Sequence, residues 1–270
     1  MLPKVLVTGG ALAVAVLVFG QSSPQQGASL VSMTYRVPAT VTLREPVVVD
    51  LTLRSHADEP VSIELGRNNI GNLQLKLQKP DGAIVSVDPR RPKTADHSYT
   101  DIPIILKPRE QRSEPIVLDE WFGTLDTEGA YRLTIDFIGR AQTGEGRPIE
   151  IARTGSWSFQ MVPRDEAVLR TSCARLLQIA RTSTDADQAR FAAKALSYVR
   201  DPIAVEYLER LIERGKKLEI LSVDARGIAA LEHMGTFEAR DALLRARLKS
   251  QAVAAEEIDK ALIRMMATAK

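Results

Sequence analysis

From Leu30 onward, apolar and polar residues alternate. Val31, Met33, Tyr35 and Val37 take every second position, and Val41 with Leu43, then Val47, Val49, Leu51 and Leu53, repeat the pattern. After the turn HADEP the same period runs through Val61, Ile63 and Leu65. Leu73, Leu75 and Leu77 form a further strand, closed by KPDG, whose proline and glycine favour a tight turn. Ile104 to Leu106 and Ile116 to Leu118 are short apolar runs, and Tyr131, Leu133, Ile135 and Phe137 alternate again, as do Trp157, Phe159 and Met161. A period of two sends successive side chains to opposite faces, so each strand has one buried and one wet face. Eight or nine such strands between Pro and Gly turns predict a two-sheet antiparallel sandwich over 30–162.

Pro163 ends this pattern and the period becomes 3.6. Six helices are predicted, at about 165–181, 185–199, 202–214, 217–234, 237–249 and 252–268. Asp165 is placed to cap the first, and Thr184 with Asp187 resembles a capping box for the second. Asp201 followed by Pro202 starts a helix, Gly215 and Gly235 stop helices, and Thr236 caps the next one. An internal repeat lies across them. Ala195, Leu196, Ala204 and Leu208 align with Ala230, Leu231, Ala239 and Leu243, with Val199 matching Met234 and Asp201 matching Thr236. A recurring helix pair of this kind buries its apolar face on the next pair.

Two resemblances follow from these segments. AAKALSYVRDPIAVEYLERLIE resembles a HEAT-type repeat, with an alanine-rich first helix, an Asp-Pro turn and a Val/Leu-faced second helix, although its spacing is shorter than that family's. That resemblance implies protein binding and carries no catalytic residues. VTLREPVVVDLTLRS, LQLKLQKPDG and LDTEGAYRLTIDF resemble the immunoglobulin-like sandwiches of exported bacterial proteins, which would set Tyr131 near a tyrosine-corner position. Such folds imply recognition as a class and specify no ligand. The expected architecture is therefore multidomain: an all-β immunoglobulin-like sandwich over 30–162, then an all-α HEAT-like helical repeat domain over 163–270.

The chain's start adds a destination. Lys4, the apolar run Val5 to Phe19, and Val18 and Gly20 at the −3 and −1 positions have the layout of a signal peptide over 1–20, followed by a flexible lead-in at 21–29. The run is shorter than a membrane-crossing helix and broken by Gly9 and Gly10, so export to the periplasm or medium is expected over a retained anchor. Charge adds little. The 36 Lys and Arg nearly balance 34 Asp and Glu, and no segment concentrates basic residues as a nucleic-acid binder would. Cys173, the only cysteine, cannot form an intrachain disulfide, and its spacing from Leu169 and Leu177 marks it as a small core residue.

Candidate chemistry is sparse. His56, His97 and His233 are scattered, with no metal-ligand spacing and no GxSxG elbow, so no catalytic residue, metal or cofactor is expected. GRAQTGEGR has Walker-like glycines, but Glu145 stands where a phosphate-binding lysine is needed, and it reads as a hairpin loop. DADQARFAAKAL lacks the glycine and final glutamate of a calcium hand and reads as a helix first turn. In the long loop 88–103, Arg90, Arg91 and Lys93 suit an anionic ligand and His97 with Tyr99 offer aromatic contacts; the alternative is a solvated loop. Trp121 and Phe122 are read as a sugar-stacking platform or, with one ring buried, as core. On the helices, Lys194, Ser197 and Arg200 of the second and Arg226 and Glu232 of the fourth are expected on a binding row, against the alternative of plain solvated surface. The reading is a non-catalytic extracytoplasmic protein-binding or scaffold module with a protein or peptide partner. The alternatives are a hydrolase or other enzyme with its site between the domains, and a carbohydrate-binding accessory protein.

Overall fold

The computed structural model describes residues 30–66, 71–87, 103–144, 146, 148–212, 221–250 and 252–268. Two sheets enclose one core. The first has the order β1 (Val31–Arg36), β3 (Val48–Ser55) and β8 (Gln111–Val117), all antiparallel. The second runs β2 (Thr40–Thr42), β10 (Ile149–Val162), β9 (Gly129–Thr143), β4 (Val61–Glu64) and β7 (Ile104–Leu106), with β5 (Leu73–Gln78) also on β9 and β6 (Ile84–Val87) beyond it. The chain changes sheets between β1 and β2, and β2 then pairs in parallel with Gln160–Val162 of β10. Alternation sets the core: Val49, Leu51 and Leu53 of one sheet meet Leu75, Leu133 and Ile135 of the other, all fully buried. Each such side chain contributes roughly 1.5–3 kcal/mol of apolar burial. The Tyr131 hydroxyl donates to the Thr127 carbonyl at 2.9 Å, the backward bond of a tyrosine corner.

Of GRAQTGEGR, Gly139 to Thr143 are the end of β9 and Gly144 and Gly146 lie at the turn into β10, whereas Glu145 and Arg147 lie outside the described residues. Trp121 and Phe122 belong to the short helix α1 (Leu118–Phe122) and pack half-buried on the sandwich core.

Six further helices follow: α2 (Glu166–Thr182), α3 (Ala186–Ser197), α4 (Ala204–Ile212), α5 (Leu221–Met234), α6 (Phe237–Lys249) and α7 (Ala252–Thr268). Asp165 caps α2 and Thr236 caps α6. The α3 cap is Asp185 rather than Thr184, because its carboxylate accepts both the Asp187 and Gln188 N–H groups. Gly235 ends α5 at φ 66°, a left-handed conformation that glycine adopts without steric cost. The sequence repeat is a packing repeat: α3 lies on α5 and α4 on α6. Its matched residues Ala195, Leu196, Ala204, Leu208, Ala230, Leu231, Ala239 and Leu243 are all buried.

One expectation is overturned. The chain is not an all-β sandwich followed by a separate all-α repeat domain; it is a mixed α and β structure, with sheets of three and seven strands and seven helices among the described residues. The first half carries a helix of its own, α1. Val48 and Val117, paired on the outer face of the first sheet, pack into the helical core. The Thr42 hydroxyl donates to the Pro163 carbonyl at 2.9 Å and accepts the Asp165 N–H at 2.8 Å. Ser172 of α2 hydrogen-bonds Glu45, and Lys194 of α3 pairs with Glu120 of α1. Period analysis reports which residues of an element are apolar and is blind to which element covers them. The outer face of the first sheet therefore read as solvated.

Candidate binding cleft

Where the first sheet and the helices separate, they leave a cleft of about 990 Å³. It sits at the upper end of the size range of ligand pockets. Val48 and Asp50 of β3 and Arg36 of β1 belong to its sheet wall, which continues along β8 from Glu110 to Pro115. Helix α2 supplies Arg175, Leu176 and Ile179 to the opposite wall, and α3 supplies Gln188, Phe191 and Lys194, with Arg226 reaching in from α5. The helices can turn these side chains to the sheet because their caps fix where each begins: Asp165 starts α2 and Asp185 starts α3. Leu176, Ile179, Phe191 and Val48 give the cleft an apolar floor, and charges surround it.

Most of those charges are engaged. Arg112 pairs with Glu114 at 2.6 Å and with Asp187 of α3 at 3.4 Å, and Arg190 also pairs with Asp187. Lys194 is held by Glu120. Among the described residues, Arg36, Arg175 and Arg226 carry no ion pair, and Asp50 stands opposite Arg36 in the β1–β3 register. Behind the cleft, at the joint of the two halves, burial raises the Asp119 carboxyl to about 6, even though it accepts the Val47 N–H at 2.9 Å. Burial also lowers Arg200 and raises Tyr198, whose ring lies 5.4 Å from the Arg200 guanidinium carbon. Cys173 is fully buried and its thiol is pushed up to about 12 by that burial, so it stays protonated and inert near neutral pH. No group of three or more His, Cys, Asp or Glu among the described residues is placed to hold a metal ion.

The residues singled out from the sequence divide. Arg90, Arg91, Lys93, His97 and Tyr99 lie outside the described residues. Lys194 and Arg226 come together at the cleft. Ser197 and Arg200 sit at the joint instead, the Ser197 hydroxyl donating to the Lys194 carbonyl at 2.7 Å. Glu232 is elsewhere, paired with Arg264 of α7. The sequence reading picked out only the apolar end of β8, in Ile116 to Leu118, and did not single out Arg36, Arg175 or Phe191. A signal for β8 was present: in QRSEPIV the polar first half and Pro115 are marks of an edge strand.

No protein-family model and no curated protein matches the chain. Solved structures similar in part include a β-glucosidase from Listeria innocua at 11% identity, covering 48% of this chain and 16% of that one, with a TM-score of 0.26. The ASH/PapD-like domain of human CEP192 is 16% identical over 58% of this chain and all of that domain, at a TM-score of 0.30. Native alpha-2-macroglobulin from Escherichia coli is 11% identical over 87% of this chain and 52% of that one, at 0.29. The chain thus spans only a small part of the glucosidase, and likenesses this slight carry no functional argument. Among the described residues, no helix is long and apolar enough to cross a membrane.

Proposed function

We propose that this chain is a non-catalytic binding module that works outside the cytoplasm and holds a protein or peptide partner in the cleft between sheet and helices. The observation that carries the reading is the cleft's build. An apolar floor is bordered along its length by charges of both signs in equal number, several of them held in ion pairs and none converging on one reacting atom. The stacked helix pairs, similar in sequence to HEAT-type repeats but fused to the sandwich, support it, since such pairs give an extended surface. The leader pattern of Lys4, Val5 to Phe19 and Gly20 supports export.

The test is site-specific photocrosslinking in the native envelope. A benzophenone amino acid at Phe191, in the cleft, should trap a discrete protein adduct. The same group at Arg132, on the exposed outer face of the second sheet, should not. No adduct at 191, or equal adducts at both sites, would end the proposal.

A further inference from the structure

We infer that the outer faces of α6 and α7 are a homodimer interface, on which α6 packs antiparallel against α6 of a second copy of this chain. The helices stand in two rows, α2, α4 and α6 in one and α3, α5 and α7 in the other, so α6 and α7 close the stack. The terminal elements of a stacked array need a polar outer face to stay in water. This end has the opposite. On α6, Phe237 is 80% exposed and Leu248 86%, with Leu244 exposed between them, and on α7 Ile263 and Met266 are exposed as well. These five are half of the large exposed hydrophobic side chains among the described residues, so the apolar surface is concentrated here rather than scattered. One place earlier in the same row, α4 exposes only the charged Glu206 and Arg210.

The exposed side chains form one surface. At about 100° per residue, Phe237, Leu244 and Leu248 lie within about 20° of a single line along α6, opposite the buried Ala239, Ala242, Leu243 and Ala246. A helix that is apolar on two opposite sides is suited to being covered on both. Ile263 and Met266 lie within about 40° of Asp259 around α7. Asp259 reaches Arg247 of α6 at 2.8 Å, so both side chains lie on the α6 side of α7.

The order of residues along α6 says what covers it. The exposed positions Phe237, Asp241, Leu244 and Leu248 are spaced by four, three and four, which reads the same from either end. An antiparallel copy centred between Asp241 and Leu244 sets Phe237 of each chain on Leu248 of the other, the reciprocal contact that a two-fold axis makes. Charge agrees with that direction. Glu238, Asp241, Arg245 and Lys249 flank one side of the stripe, with the acids in the first half of the helix and the bases in the second. The antiparallel two-fold keeps that side together and brings Glu238 and Asp241 of one copy to Arg245 and Lys249 of the other. A parallel pair would set Asp241 against Asp241. Arg245 binds Glu209 of α4 and still has half its side chain exposed. On the other flank Arg240 approaches Arg247 of the copy, where Asp259 already neutralises Arg247. The cleft takes no residue from α6 or α7, so the dimer leaves both clefts open and does not depend on what they hold.

Sedimentation equilibrium of the mature chain from about 1 to 300 µM should show a reversible monomer–dimer equilibrium. Leu248→Glu changes an exposed side chain, so it should leave the urea midpoint in place and weaken dimerisation by about a hundredfold or more. Glu238→Lys combined with Asp241→Lys should weaken the homodimer, as should Lys249→Glu in a separate chain. Mixed together, those two chains should associate more tightly than either does alone. Leu244→Cys lies near the two-fold axis and should form an intermolecular disulfide on mild oxidation. Phe237→Cys should not, because the antiparallel pair sets the two copies of position 237 about 16 Å apart along the helix. Cys173 is buried and does not compete. A chain that stays monomeric over the whole range, a dimer indifferent to Leu248→Glu, or a disulfide at 237 in place of 244 would each overturn the inference. The cysteine pair decides the matter even if Leu248→Glu fails to fold.

Discussion

Asp201 accepts two guanidinium nitrogens of Arg164, Nε at 2.6 Å and Nη2 at 3.1 Å, with its own side chain wholly out of contact with water. Asp201 lies in the corner between α3 and α4, and Arg164 in the short segment between β10 and α2. Arg44, in the turn between β2 and β3, reaches the same carboxylate at 3.5 Å. One acid thus ties sandwich, linker and helices. Burial alone would raise the Asp201 carboxyl, but the hydrogen bonds from Arg164 and the Ile203 N–H and the charges of both arginines outweigh it and hold the group below the usual carboxylate range. Its contribution to stability is therefore present above the pKa of an unfolded aspartate and is lost as pH falls through the lower folded value.

Arg164→Met should strand this carboxylate beside the weaker Arg44 contact. The expected loss is about 3 kcal/mol, the low end for removing one partner of a buried pair, since Arg164 is itself partly exposed. Arg44→Met should cost under about 1 kcal/mol, because that arginine is half exposed and its bond is long. Urea denaturation of both variants checks the order; equal losses would mean that the geometry at Asp201 is not what holds the joint.

The repeat offers a second comparison. Leu208 and Leu243 are both fully buried, so Leu208→Ala and Leu243→Ala should each cost about 2–5 kcal/mol. Glu206→Ala should cost less than about 0.5 kcal/mol, since its bond to Arg170 joins two exposed side chains. Thermal or urea unfolding of the three variants reads the difference, and a large loss at Glu206 would contradict the exposed face assigned to it.

These leucines show what the sequence makes legible. Leu208 and Leu243 recur with matching neighbours because the same packing is used twice, and Leu51 or Ile135 can be recognised by period alone. Val48 and Val117 cannot. They occupy the nominally wet phase of β3 and β8 and are covered by helices more than fifty residues away in the chain. The cleft was hidden for the same reason. Lys194 and Arg226 stood out as polar positions on helix faces, whereas Arg36, Arg175 and the β8 edge acquire meaning only when the sheet and α2 are set opposite each other. Glu232, six residues beyond Arg226 on α5, lies about 120° away around the helix axis and is turned to Arg264 of α7, so the two could not share one row.

Asp119 gives a pH dependence of opposite sign to Asp201. Its carboxyl is raised to about 6 by burial, so between about pH 4 and 6 the folded chain holds a proton that the unfolded chain has released. Stability from this group is full at low pH and declines as pH rises through 6. Asp119→Asn keeps an acceptor for the Val47 N–H and removes the titration. The variant should match the parent near pH 4 and exceed it by about 1–3 kcal/mol at pH 7.5. Urea midpoints across that range test it, and an unchanged pH profile would remove Asp119 from the account.

The last prediction follows from the shared packing at the joint. If Val48 and Val117 belong to the helical core and Asp201 anchors the linker, the two halves should unfold together. The chain carries its own pair of reporters. Trp121 and Trp157, its only tryptophans, both lie in the first half, whereas α2 to α7 dominate the ellipticity at 222 nm. Tryptophan fluorescence and 222 nm ellipticity should therefore give coincident urea transitions with one midpoint. Val117→Asp places a charge among Leu169, Cys173 and their neighbours in the helical core, so it should lower both midpoints by the same amount. Two separated transitions in the parent chain, or a shift confined to the ellipticity signal in the variant, would mean that the sheet and the helices are only in contact and do not stabilise each other.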